Sequence, residues 1–130
     1  MSPFKLETAE MYQLALQLVC TIDGWAGKMR ARRPDIEVEF QQSLLSLLTM
    51  LSKARHLHAD VDRDAHFTRT HDRLHHLAAL IDMTGALHLM APSHVQSARK
   101  TLNQLKSRCI AAVLPLEPRP PTIDDYPLCS

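Results

Sequence analysis

Apolar positions along the chain recur at helical spacing in four separate stretches. Met11, Leu14, Leu18, Ile22, Trp25 and Met29 follow one another at steps of 3, 4, 4, 3 and 4, which places them on one face of a helix. This predicts a first helix from about Lys5 to Met29, weakened in its last turns by Gly24 and Gly27. Pro34 suits the first position of a second helix, where its missing N–H costs nothing. Asp35, Glu37 and Glu39 follow it near the positive end of the helix dipole. Phe40, Leu44, Leu47, Leu51 and Ala54 mark the buried face, which Leu45 and Leu48 widen, and the helix is expected to end near Leu57.

A polar joint leads to a third helix, capped by Asp60 or Asp62. Its stripe is Phe67, Leu74, Leu77 and Ile81, broadened by Leu80 and Met83. Gly85 is expected to end its regular packing, with Leu87, Leu89 and Met90 tucked under the connection. Pro92 opens a fourth helix, for which Ser93 and Gln96 could form a capping box. Val95, Ala98, Leu102, Leu105, Cys109 and Ala112 recur at 3, 4, 3, 4 and 3, and Pro115 stops the helix. Four amphipathic helices of similar length with short joints predict an all-α fold, an antiparallel up-down-up-down four-helix bundle, with shallow crossing angles. The expected division is a bundle over residues 1–115 and a proline-rich tail over 116–130. The stretch from Pro115 to Ser130 holds five prolines, a composition that suits extended or disordered chain.

Composition agrees with helix. Only 3 glycines occur in 130 residues, and Leu, Ala, Met and Gln outweigh Val and Ile. The length suits one domain. The three cysteines, Cys20, Cys109 and Cys129, are odd in number and widely spaced. That argues against a disulfide framework and for reduced thiols in a cytoplasmic protein. No apolar run is long enough to span a membrane, and the start of the chain lacks the apolar core of a signal peptide.

The net charge is +1, but it is unevenly spread. The segment from Glu117 onward carries −2, leaving +3 on the rest, and the stretch from Met83 to Leu116 has four basic residues and no acid. Lys28, Arg30, Arg32 and Arg33 cluster at the first joint. Arg99 and Lys106 lie seven apart on one stripe of the fourth helix, flanked by Lys100 and Arg108. Antiparallel topology brings Arg99 and Lys100 toward the first joint and sends Lys106 and Arg108 toward Met11. These eight residues are the candidate nucleic-acid or partner-binding groups; the alternative is a solvated helix face. Few aromatic residues are available to stack bases.

Eight histidines are present. His71 and His75, four apart, share a helix face and could hold one metal ion, but no HExxH or ExxH motif accompanies them, and a solvated polar face is the simpler account. Asp60, Asp62 and Asp64 have the spacing that starts a calcium loop. Ala65 stands where that loop needs glycine and His71 where it needs the bidentate glutamate, so a polar turn is expected instead. No phosphate loop or nucleophile motif occurs. No metal, no cofactor and no catalysis are expected.

Three stretches resemble a known family. Glu10 to Leu16, Ser43 to Leu48 with Ala54, and Ala86 to Pro92 leading to Ala98 and Leu102 are similar to segments of the four-helix-bundle family that includes the accessory variability determinant of diversity-generating retroelements, related to proteins encoded in ribosomal RNA intervening sequences. The resemblance covers about residues 8–115. It implies a ring of five protomers that binds the retroelement reverse transcriptase and RNA or cDNA and supports mutagenic cDNA synthesis without being the catalyst. Members are usually strongly basic; Glu37, Glu39 and Asp82 depart from that pattern. Five copies of a +3 body would gather about fifteen positive charges on one particle. The other reading is a helical protein–protein interaction module that touches no nucleic acid.

Overall fold

A computed structural model describes the backbone of residues 3–54 and 60–113, and the side chains of 8–54 and 63–111. Within them the chain is all-helical: five helices pack together and no strand occurs. They are α1 (Pro3–Asp23), α2 (Ala26–Arg32), α3 (Pro34–Ala54), α4 (Asp60–Ala86) and α5 (Pro92–Val113). The four long helices touch in a closed cycle, α1 with α3, α3 with α4, α4 with α5 and α5 with α1, while α2 packs on α3.

The expected first helix from Lys5 to Met29 is two helices. Gly24 still bonds four residues back, to the Cys20 carbonyl, but the Trp25 N–H bonds only three back, to Ile22 at 2.9 Å. That tighter turn resets the helix. Ile22, Trp25 and Met29 nevertheless all remain buried, so the apolar spacing runs straight across a break it does not reveal. The break also corrects the placement of the basic run: Lys28, Arg30 and Arg32 lie on α2, not on a connecting loop. Arg33 links α2 to α3, its N–H bonded to the Met29 carbonyl and its own carbonyl accepting from Ile36 and Glu37.

Pro34 and Pro92 open α3 and α5 as expected. Because α5 begins at Pro92, Ser93 falls inside its first turn and cannot be the residue that precedes it. Instead the Ala91 carbonyl accepts from His94 and Val95. Helix α4 begins at Asp60, so the stretch 60–66 is helical and not a polar turn. By the same logic Asp60 and Asp62 lie within the first turn of α4 and do not precede it as caps. The expected end of the second helix near Leu57, the packing of Ala112, the stop at Pro115 and the tail all fall outside the described residues.

The core is the sum of the four stripes. Met11, Leu18, Met29, Phe40, Leu47, Leu51, Phe67, Leu74, Leu77, Ile81, Leu102 and Leu105 are almost fully enclosed. At roughly 1.5–3 kcal/mol for each large apolar side chain taken from water, this interior drives the fold. Two buried threonines satisfy their hydroxyls within their own helix: Thr70 donates to the His66 carbonyl at 2.9 Å and Thr84 to the Leu80 carbonyl at 2.8 Å. Leu45 and Met83, expected to widen buried stripes, are 67% and 45% exposed, and Leu87 is exposed as well. A helix in a bundle buries only the arc that faces its neighbours, and these side chains lie beyond it.

Helix α4 continues past Gly85 to Ala86 and ends in a Schellman motif: the Leu89 N–H bonds to the Thr84 carbonyl and the His88 N–H to Gly85. His88 takes the left-handed conformation such an end requires, with φ of 56°, and Leu89 and Met90 are buried behind it.

Candidate nucleic-acid and partner interface

Arg32 ties α2 to a distant part of the chain. Its Nη1 donates to the His88 carbonyl at 3.1 Å, tying the end of α2 to the α4–α5 connection. Lys28, Arg30 and Arg32 on α2 therefore stand at the end of the molecule where α5 starts, as the topology argument expects for Arg99 and Lys100. The same argument sends Lys106 and Arg108 the other way, and Arg108 does pair with Glu10 of α1, next to Met11. Arg99, Lys100 and Arg108 nevertheless line one depression along α5, so the α5 cations are not split into separate surfaces.

Four of the eight are engaged by carboxylates. Arg30 grips Glu37 with two bonds, Nη2 to Oε1 at 2.7 Å and Nε to Oε2 at 3.2 Å. Gln41 adds a third bond to Oε1 at 2.9 Å. The hydrogen bonds from Arg30 hold the Glu37 carboxyl below its usual range, so this acid, only 6% exposed, stays charged. Arg33 makes a two-bond pair with Asp35 at 2.9 and 3.0 Å, which lowers the Asp35 pKa in the same way. Arg108 holds Glu10. Arg99 meets Asp82 more loosely, at 3.7 Å, and its Nη1 has no hydrogen-bond partner among the described residues. Lys28, Lys100 and Lys106 hold no carboxylate among the described residues; Lys28 and Lys100 are exposed and Lys106 is half-buried.

Gln96, Arg99, Lys100, Asn103, Ser107 and Arg108 of α5 line a shallow depression that also includes Val95 and Asp82. Amides, a hydroxyl and cations in one row offer donors to phosphate or to acidic groups, and nothing there supplies a nucleophile with a base beside it.

The histidines take separate roles. His71 and His75 share a face, their ring centroids 4.6 Å apart and nearly perpendicular, but among the described residues no three His, Cys, Asp or Glu side chains gather as metal ligands. His66 is buried against Phe67 with its Nε2 unpartnered, and burial lowers its pKa. His56 and His58 lie outside the described residues. Cys20 is exposed. Cys109 is buried, its Sγ donating to the Phe67 carbonyl at 3.4 Å, and burial pushes its pKa up to about 11. Its thiol is therefore a core group and not a nucleophile. Cys129 is outside the described residues.

Sequence reasoning missed a second surface, an apolar cleft between α1, α2 and α3 floored by Val19, Ile22, Leu44 and Leu48. The signal was present in the doublets Leu44-Leu45 and Leu47-Leu48, which give α3 more apolar arc than its neighbours α1, α2 and α4 cover. No helix among the described residues is long and apolar enough to cross a membrane. Comparison with protein families, with curated proteins and with solved structures finds no match.

Proposed function

We propose that this chain is a non-catalytic accessory protein of a retroelement reverse transcriptase. In this reading it binds the enzyme and its template RNA or cDNA as a cytoplasmic, oligomeric scaffold, with five protomers in the ring that the resemblance implies. Helices α1 and α2 together act as the first member of an antiparallel up-down-up-down four-helix bundle.

The observation that supports the nucleic-acid part is the tie between α2 and the connection that leads into α5. Arg32 is bound to the α4–α5 connection, so the exposed cations of α2 and those at the start of α5 can meet one phosphate backbone. Lys28, Arg32 and Lys100 are the contributors free of carboxylates among the described residues, and all three are exposed. Repetition around a ring would multiply this modest charge.

The test is RNA binding measured across salt concentrations. Reversing Lys28, Arg32 and Lys100 to Glu is expected to weaken binding and to flatten the salt dependence, by roughly 0.7–0.9 in slope for each phosphate no longer neutralised. Reversing the carboxylate-held Arg33 should change both less. Unchanged affinity and slope in the triple variant would remove this surface from the function.

A second reading has its own support. With Arg30, Arg33, Arg99 and Arg108 all facing carboxylates, much of the basic charge is neutralised internally, which suits a module that contacts only proteins. A reverse-transcriptase complex that survives nuclease, from a protein with no RNA affinity of its own, would select it.

A further inference from the structure

The apolar cleft lies between α1, α2 and α3, with Ala26 and Met29 of α2 in its wall. Val19, Ile22, Met29, Phe40, Leu44 and Leu48 supply its apolar lining. Leu45 stands on its rim, 67% exposed, and Val38, seven residues earlier on the same stripe of α3, is 47% exposed. Leu45 thus carries the apolar lining of the cleft out to solvent.

Size and charge narrow what fits. The cleft encloses about 240 Å³, below the roughly 300–1,000 Å³ of pockets that take whole small molecules. It suits one or two side chains of a larger partner, as a buried anchor at an interface does. A groove between two helices accepts a third helix through anchors spaced a turn apart. Two carboxylates border the apolar floor, Glu37 and Asp23. Glu37 is spent on Arg30 and Gln41. Asp23 is exposed, makes no hydrogen bond or ion pair among the described residues, and is felt by Arg30 only at longer range. An available acid at the edge of an aliphatic seat complements a cation placed about one turn from an aliphatic anchor.

We propose that this cleft is a helix-docking site for an amphipathic helix of a partner protein, which sets an aliphatic side chain on Val19, Ile22, Leu44 and Leu48 and a Lys or Arg beside Asp23. The inference deepens the protein-contact part of the function proposed above and is independent of nucleic acid.

A synthetic amphipathic peptide of Leu and Lys, titrated calorimetrically against the full chain, contains neither reverse transcriptase nor RNA and so separates this inference from that function. Binding is expected. Leu45→Asp, on an exposed position that folding does not need, should weaken it by about tenfold or more. Asp23→Lys should weaken it several-fold, and Ile110→Asp, at an exposed position of α5, should leave it unchanged. No binding of the peptide, equal binding of the matching Leu/Glu peptide, or wild-type affinity in Leu45→Asp would each overturn the proposal. So would a fall in the protein's own solution mass in Leu45→Asp, which would give the cleft to a second copy of the chain.

Discussion

The α4–α5 seam and the α1–α3 seam are both built from apolar side chains, yet one is closed and the other gapes. On α4, Ala78 and Gly85 are small, and a Cβ added to Gly85 would lie 3.4 Å from Val95 of α5. Ala98 is fully buried and Cys109 reaches the Phe67 backbone across the seam. Small residues let two helices approach until their backbones nearly touch, because the distance between helices follows the side chains between them. The α1–α3 seam uses Val19, Ile22, Leu44 and Leu48. Bulky residues on both sides hold the helices apart and leave a cleft with Leu45 on its rim. Apolar content alone does not close a seam; the distribution of volume does.

The largest test of this contrast is a pair of truncations. Leu102→Ala, at a position with no exposure, should destabilise the fold by about 2–5 kcal/mol, whereas Leu45→Ala should stay within about 0.5 kcal/mol. Denaturant unfolding measures both, and a comparable loss in the two would mean that Leu45 is packed in solution. A smaller effect is expected at the closed seam itself. Gly85→Leu should cost about 1–3 kcal/mol through overpacking. Gly85→Ala should gain up to about 1 kcal/mol from helix propensity, since the added methyl meets Val95 only at an ordinary van der Waals distance. If Gly85→Leu is silent, the helices are not in close approach there.

The smallest effect involves one proton at the third seam, between α3 and α4. His66 is buried with its Nε2 unpartnered. Desolvation, together with the nearby positive charges of Arg69 and Lys53, lowers its pKa below 6.5, against a bond to the Met50 backbone that favours the charged form. Above pH about 6.5 the ring is neutral in both folded and unfolded chain and has no effect. As pH falls below that value the unfolded chain takes up a proton that the folded chain resists, so stability declines until the folded pKa is passed. His66→Gln should flatten the fall in melting temperature on acidification. An unchanged slope would assign it to other groups.

Much of this architecture is legible in the sequence. The stripes through Met11, Phe40, Phe67 and Val95 name the buried faces because a 3.6-residue period aligns every third or fourth side chain. Pro34 and Pro92 mark helix starts for a reason local to proline. The break at Gly24-Trp25 is not legible, because Ile22, Trp25 and Met29 keep their spacing through a turn tightened by a single hydrogen bond. The basic residues are visible one by one, but their partners are not: Arg30 with Glu37, Arg108 with Glu10 and Arg32 with a backbone carbonyl are set by where helices meet.

By itself, then, the sequence determined helix and buried face, both of which follow from local periodicity and short connections. Only the tertiary structure decided which arginines are neutralised, that His66 is enclosed, and that the apolar arc of α3 is too wide for its neighbours. Each of those depends on the distance between helices, and that distance is set jointly by side chains far apart in the chain.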